Sequence, residues 1–334
     1  MVRLLLAMLF LLCAAPAQAA DDRVLYENIV ERVEAGEGYY PAAADELRKG
    51  NYPLKPTPAF RPPTLAVALG LLPNSLTRLA ALIALCLAAV FAWMRTLKDA
   101  PAWERISIIT LLMCGLANVG APGSLYLHEA WSICFIALSL AFYRNLALCL
   151  LFALVDVTIR ETAILFPIAM GIIALIERDW TRAAWLVVLG LACAALWFVH
   201  GLAASSVLIS SDPASQGWMA MGGGPMVLAA SKWNILTSQL EGSWLAVAFL
   251  LFAVSLATVK RIELRVAAVY VCLFSFALLV FGRPDNDYWG IMFAPFLAVG
   301  LPTLWRGEWR AGGRERSRVE SSSLDHSDGP DMAV

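Results

Sequence analysis

The stretch NLALCLLFALVDVTIRETAILFPIAMGIIALI, residues 145–176, decides the fold. It contains two apolar runs, 145–159 and 162–176, and only Arg160 and Glu161 stand between them. Apolar runs of this kind predict membrane-crossing helices, of which the shorter ones are tilted or broken. Because almost no loop separates the two runs, the Arg-Glu pair is predicted to lie at the edge of the bilayer.

Similar apolar runs recur along most of the chain. Over 334 residues, 60% are hydrophobic and 15% are charged, and the mean hydropathy is +0.69, which no soluble globular domain shows. We therefore predict an all-α, polytopic transmembrane helical bundle of about ten spans. The predicted spans are 4–20, 76–94, 106–120, 130–143, 145–159, 162–176, 183–202, 244–259, 266–281 and 289–305.

The basic residues divide the connections between these spans into two sets. Cytoplasmic connections are enriched in Lys and Arg, so alternate connections should carry them. They do so at Arg3, Arg95, Lys98, Arg105, Arg144, Arg178, Arg182, Lys260, Arg261, Arg265 and the tail 306–318. Ten spans with both termini in the cytoplasm satisfy this pattern if the first helix is retained.

The two ends of the chain differ from its middle. Residues 1–20 form a first transmembrane helix, either a signal anchor or a cleaved signal peptide, because Ala17-Gln18-Ala19 is typical of a signal-peptidase site. Either interpretation places 21–63 outside the cytoplasm, as an amphipathic helix followed by an ordered Pro-rich segment, 51–63. Residues 64–305 form the bundle, and the polar, Ser-rich tail 306–334 is predicted to be a disordered cytoplasmic segment.

Ionisable residues of the outward connections are the candidate functional groups, because charges near membrane depth are costly. Five places qualify: Asp21-Asp22, Arg61, His128-Glu129, Arg160-Glu161, and the loop from Arg283 to Trp289 with Asp285 and Asp287. For any one place alone, a helix-end ion pair, a helix cap or a polar turn explains the residues equally well. Their common side of the membrane favours a shared function.

Several other classes of site find no support in the sequence. It contains no phosphate loop, dinucleotide fingerprint, His-rich zinc motif or nucleophile elbow, and no basic groove for nucleic acid. The seven cysteines lie inside apolar runs, so we expect neither disulfides nor a thiolate metal site. No cofactor is indicated, although Asp285 and Asp287, two residues apart, could hold a divalent cation or hydrogen-bond a sugar.

Four short pieces of sequence, taken in order, resemble one family. They are Asp21-Asp22-Arg23-Val24-Leu25-Tyr26, Gly38-Tyr39-Tyr40-Pro41, Arg61-Pro62-Pro63 and Arg160-Glu161-Thr162. Together they are similar to the GT-C superfamily of polytopic glycosyltransferases, and most similar to the bacterial members without a soluble C-terminal domain. One feature departs from that family, whose first helix is not cleaved, because the chain carries a signal-peptidase-like site.

The resemblance implies a location and an activity. The chain would lie in the bacterial cytoplasmic (inner) membrane, with its active site on the extracytoplasmic face. It would move a sugar, with inversion, from a polyprenyl-phosphate-linked donor to a glycan, lipid or protein acceptor. The sequence leaves the sugar and the acceptor open.

The resemblance also assigns roles to the outward residues. Asp22, or else Asp21, would be the general base, since an acceptor hydroxyl is only weakly acidic. A fixed cation would stabilise the phosphate leaving group: Arg160 first, then Arg61 or Arg283, with Glu161 orienting Arg160. The remaining candidates would bind substrate, and the tyrosines are equally explained as interfacial belt residues. These candidates are His128, Glu129, Tyr39, Tyr40, Asp285 and Asp287.

Two other classes of protein remain open at this stage. A secondary transporter would need ionisable residues near the membrane midplane, and Asp156 is the acidic residue that lies well inside a predicted span. Another lipid-linked envelope enzyme, such as a polymerase or ligase, would use the same face and similar residues. The long outer segment 21–63 favours the glycosyltransferase.

Overall fold

The computed structural model describes residues 20–304 apart from 121, 216 and 218. The described residues form helices and turns without an extended strand; one isolated β-bridge joins Lys55 and Ala214. The predicted first helix and the predicted tail lie outside this part of the chain, as does the side chain of Asp21. The all-α prediction is thus confirmed for the described residues.

The helices follow one another with short connections. They are α1 Ala20–Glu34, α2 Tyr39–Lys49, α3 Thr64–Gly70, α4 Ser75–Thr96, α5 Ala102–Leu116, α6 His128–Ala141, α7 Leu146–Ile159, α8 Leu165–Ile176, α9 Trp180–Ser205, α10 Gly223–Ser231, α11 Ile235–Ser238, α12 Gly242–Ala257, α13 Ile262–Phe281, α14 Ala294–Leu297 and α15 Leu301–Leu304. Short 3-10 turns occupy Thr57–Ala59, Pro122–Ser124, Glu161–Ile164 and Pro284–Met292.

Among the described residues, three helices are long and apolar enough to cross a membrane: α4, α9 and α13, of 22, 26 and 20 residues. Their lengths match the requirement of about 20 residues for a 30 Å hydrocarbon core. The helices α6, α7, α8 and α12 are apolar but have only 10 to 17 residues. The count of about ten spans therefore stays a prediction.

The predicted span 289–305 is not a continuous helix. The chain there is a 3-10 segment, Pro284–Met292, followed by the short α14 and α15, and prolines 295 and 302 interrupt helical hydrogen bonding. Every residue from 288 to 300 is nevertheless buried. Irregular backbone of this kind is tolerated at membrane depth where protein covers it.

The segment 21–63 contains two helices where the sequence predicted one. Gly36, at φ +92°, turns the chain after α1, and Pro41 lies in the first turn of α2, where its missing N–H costs nothing. Arg32 joins the two helices through ion pairs with Glu37, Asp45 and Glu46. We call this pair of helices the α1–α2 hairpin.

Buried Arg78, at the start of α4, anchors the hairpin to the bundle. Its guanidinium donates to the carbonyls of Leu69 and Leu72, at 3.0 and 3.1 Å, and forms an ion pair with Glu34 at the end of α1. It also contacts the Tyr126 hydroxyl at 3.3 Å. The contacts of this one side chain fix α1, α3 and α4 relative to one another.

The two ends of α7 carry different sets of charges. Arg144 precedes the helix and pairs with Glu263 at 3.1 Å, and near it Arg182 donates to the Tyr143 carbonyl at 2.9 Å. Arg160 follows the helix, whose 14 residues are about 21 Å long at 1.5 Å per residue. Arg144 and Arg182, two of the basic residues predicted to be cytoplasmic, are thus at the opposite end of α7 from Arg160.

Candidate functional site

A cavity of about 180 Å³ lies beside Asp22, and we call it the Asp22 cavity. Five separate parts of the chain line it: α1, Leu47 of α2, the Pro-rich segment, Ser215, and residues 281–289. The charged side chains in its lining are Asp22, Arg61, Arg283 and Asp285. Three of the five places that the sequence singled out therefore meet around one space.

Two tyrosines hold the Asp22 carboxylate. Tyr52 donates to Oδ1 at 2.9 Å, and Tyr288 donates to Oδ2 at 3.0 Å. Burial raises the pKa of the Tyr288 hydroxyl well above its usual range, so it stays protonated and continues to donate. Each carboxylate oxygen still has a lone pair for another donor, because a carboxylate offers about four acceptor positions.

Arg61 lies between the cavity and the protein interior. Its backbone carbonyl accepts a hydrogen bond from Tyr39 at 2.7 Å, and its guanidinium forms an ion pair with Glu161. Burial favours its neutral form, but the carboxylate of Glu161 and the neighbouring Tyr26, Tyr288 and Glu129 together outweigh burial and hold the pKa of Arg61 well above its usual value. Arg61 is thus a fixed positive charge on the cavity wall.

Arg160 is fully buried directly behind Arg61. It forms ion pairs with Glu161 and with Glu129, the latter at 2.7 Å, and its guanidinium lies 5.2 Å from the centre of the Trp289 ring. Arg160 is not one of the described residues that line the cavity. The resemblance implied Arg160 first, then Arg61 or Arg283, as the cation beside the donor phosphate, whereas the structure brings Arg61 and Arg283 to the cavity wall.

The buried charges around Arg160 leave several polar atoms unpaired. In the described part of the chain, His128 Nδ1, Arg160 Nη2, Glu161 Oε2 and Trp289 Nε1 have no hydrogen-bond partner. His128 also packs edge-on against Tyr26, with ring centres 4.7 Å apart. Buried polar atoms are normally paired, so a group of unpaired ones is typical of a functional site.

The other predicted substrate residues lie at different distances from the cavity. Asp285 lines it, whereas Asp287 accepts a hydrogen bond from Trp233, and burial raises the pKa of Asp287. Tyr39 and Tyr40 contact each other edge-on, and the Tyr40 hydroxyl lies 3.0 Å from His200 Nδ1. Neither tyrosine ring belongs to the cavity lining that the structure describes.

Sequence reasoning missed Tyr52 and Ser215 in the lining, and gave Tyr288 no role. Tyr52 lies in the Pro-rich segment, whose stiffness predicted fixed side chains but not their direction. Ser215 reaches the cavity because its backbone N–H donates to the Lys55 carbonyl at 2.6 Å. Arg48 holds the same loop through Asp212 at 2.8 Å. The sequence carries no signal for these contacts.

No three His, Cys, Asp or Glu side chains among the described residues lie close enough together to hold a metal ion. The Asp285 and Asp287 pair thus lacks a third acidic, His or Cys ligand within that part of the chain. The chain matches no protein-family model, no curated protein and no solved structure. The geometry of the Asp22 cavity is therefore the basis for a proposed function.

Proposed function

We propose that this chain is a membrane glycosyltransferase that uses a polyprenyl-phosphate-linked sugar as donor. The observation that carries the proposal is the Asp22 carboxylate, oriented by the Tyr52 and Tyr288 hydroxyls in a cavity that also contains Arg61 and Arg283. One carboxylate beside two guanidinium groups suits a reaction that removes a proton and releases a phosphate.

The proposed reaction is a single displacement with inversion. The acceptor hydroxyl oxygen attacks the anomeric carbon, the bond from that carbon to the phosphate oxygen breaks, and the acceptor proton passes to Asp22. The products are the glycosylated acceptor and a polyprenyl phosphate. No metal is needed for the proton balance of this step.

The cations have different tasks in this proposal. Arg61 and Arg283 line the cavity, so they contact the phosphate and stabilise the charge that develops on it. Arg160 acts as a positioning residue, because its shared carboxylate Glu161 also holds Arg61. His128 and Glu129, which lie in the same buried cluster, have the same positioning role in this proposal.

Incubation of the purified protein with polyprenyl-phosphate sugars tests the proposal. We expect wild type to release polyprenyl phosphate and to form a glycosylated product of inverted configuration. Asp22→Asn should lower turnover by about 100-fold or more, as loss of a general base does. Glu31→Gln is the matched control, because Glu31 is an exposed carboxylate on the same helix. Equal turnover by wild type and Asp22→Asn would contradict the proposal.

A secondary transporter is the second candidate, and one observation favours it. Asp156 is fully buried inside the bundle and hydrogen-bonded to Ser132 of α6. Buried acids in membrane spans commonly mark ion pathways. Substrate uptake into proteoliposomes that Asp156→Asn abolishes, without any glycosylated product, would favour transport over glycosyl transfer.

A further inference from the structure

Residues 59–62 of the Pro-rich segment separate the Asp22 cavity from a second, smaller space. The backbone is extended at Phe60, after the 3-10 turn, with φ −73° and ψ 133°, and alternate residues here line different spaces. Ala59 and Arg61 line the Asp22 cavity. Phe60 and Pro62 line the second space, which we call the lateral crevice.

The lateral crevice has a volume of about 30 Å³ and lies against the last turns of α9. Trp197, His200 and Gly201 of α9 form one wall, and Thr57, Phe60 and Pro62 form the other. Glu161, the carboxylate that holds Arg61, also lines it. The crevice therefore reaches the ion-pair partner of the cation that we propose to bind the donor phosphate.

The surface of α9 next to the crevice is apolar and exposed. Leu196, Phe198, Val199 and Leu202 are between 47% and 68% exposed. Since α9 is long and apolar enough to cross a membrane, this exposed surface suits contact with lipid. The crevice lies between this helix and the segment that carries Arg61.

We propose that the lateral crevice binds the first isoprene units of the lipid donor. This inference rests on the proposed function, since it concerns the same donor. A phosphate beside Arg61 must extend its prenyl chain toward lipid, and the crevice lies on the lipid side of the same segment. Its apolar side chains, Phe60, Pro62 and Trp197, suit a prenyl chain and not a sugar.

The crevice must widen to admit the chain, because its present volume holds about one water molecule. His200 Nε2 lies 3.3 Å from the Phe60 carbonyl and holds the Pro-rich segment against α9. A Cβ added to Gly201 would lie 3.8 Å from Thr57 Oγ1, on the opposite wall of the crevice. A larger side chain at Gly201 would therefore fill the space that the prenyl chain needs.

Gly201→Leu tests this directly, and the same helix offers a matched control. Gly190 also lies on α9, and a Cβ added there would meet no atom within 4 Å. We expect Gly201→Leu to raise the KM for a polyprenyl-phosphate sugar by about tenfold, a loss of about 1.4 kcal/mol in binding. The KM for the same sugar on methyl phosphate should not change, and Gly190→Leu should change neither. An equal rise for both donors, or no rise, would overturn the inference.

A binding experiment separates this inference from the proposed function. A polyprenyl phosphate that carries a photoreactive group on its first isoprene unit should crosslink to residues 194–203 in wild type and in Gly190→Leu, but not in Gly201→Leu. If Gly201→Leu does not fold, Gly201→Ala should show a weaker loss in the same direction. Crosslinking to other segments would refute the lateral crevice, even if sugar transfer is observed. A wild type that crosslinks at 194–203 without sugar transfer would refute the proposed function and support the crevice.

Discussion

The hydroxyl of Tyr288 donates to the carboxylate of Asp22 at 3.0 Å, although 266 residues separate the two in sequence. This contact joins the α1–α2 hairpin to the irregular buried segment near the end of the described chain. It orients the proposed base through a side chain that lies outside the segment 21–63. The geometry of the proposed reaction therefore depends on the packing of residues 284–300 as well as on α1.

Removal of this hydroxyl should weaken catalysis without unfolding the protein. Tyr288→Phe deletes one hydrogen bond to a charged group, which contributes about 1.5 to 3 kcal/mol. We expect kcat to fall by roughly 10-fold to 100-fold with little change in donor KM. Steady-state kinetics with a polyprenyl-phosphate sugar measure both values. An unchanged kcat would show that Asp22 does not need this contact.

Loss of the buried Glu161 carboxylate should destabilise the protein strongly. Glu161→Gln leaves the buried Arg61 without its ion pair and leaves Arg160 with Glu129 alone. Breaking a buried ion pair costs about 3 to 5 kcal/mol, so thermal unfolding in detergent should shift strongly to lower temperature. Glu177→Gln breaks an exposed pair with Arg265 and should cost less than about 1 kcal/mol. Similar shifts of the unfolding temperature for both variants would contradict a stabilising role for the buried charges around Glu161.

The placement of Arg160 and Glu161 between two helices could be predicted from sequence, but their pairing could not. The two residues stand between two apolar runs, which predicts a helix on either side. That Glu161 also binds Arg61, 100 residues earlier, depends on how the Pro-rich segment packs. Local patterns contain no information on such packing. For the same reason the resemblance implied Arg160 as the first candidate for the donor phosphate, although Arg61 and Arg283 are the arginines that line the Asp22 cavity.

The prediction of a last spanning helix, 289–305, was wrong for a different physical reason. Residues 289–305 are as apolar as a spanning helix, but here burial within the protein, and not contact with lipid, accounts for that composition. Apolar composition does not distinguish these two cases, since both exclude water. The prolines at 295 and 302 and the glycines at 290 and 300 were the available signals. The second hairpin helix, Tyr39–Lys49, was missed because glycines and a proline surround its start.

Gly290 should tolerate no side chain. A Cβ there would lie 1.9 Å from the Ala230 carbonyl oxygen of α10, so the segment that carries Tyr288 and Trp289 would have to move. We expect Gly290→Ala to lower both thermal stability and turnover. Gly224→Ala, in the same helix as Ala230, meets no atom within 4 Å and should leave both unchanged. Wild-type behaviour of Gly290→Ala would refute this close approach.

The Arg48–Asp212 pair should make stability depend on acid pH. The hydrogen bond from Arg48 lowers the pKa of Asp212 to about 2. Because this pKa is below that of the unfolded chain, the pair stabilises the fold at neutral pH. The stabilisation is lost as the pH falls from about 4 toward 2. Thermal unfolding of Asp212→Asn should therefore occur below the wild-type temperature at pH 7, with a difference that shrinks as the pH falls through this range. A constant difference would show that charge is not the cause.

The most direct measurement is an electron cryomicroscopy structure of the protein with a bound polyprenyl phosphate in a lipid nanodisc. The account predicts that the phosphate lies in the Asp22 cavity within hydrogen-bond distance of Arg61 and Arg283, with its prenyl chain leaving past Phe60 and Gly201. A phosphate bound at the other end of the bundle, near Arg144 and Arg182, would contradict it.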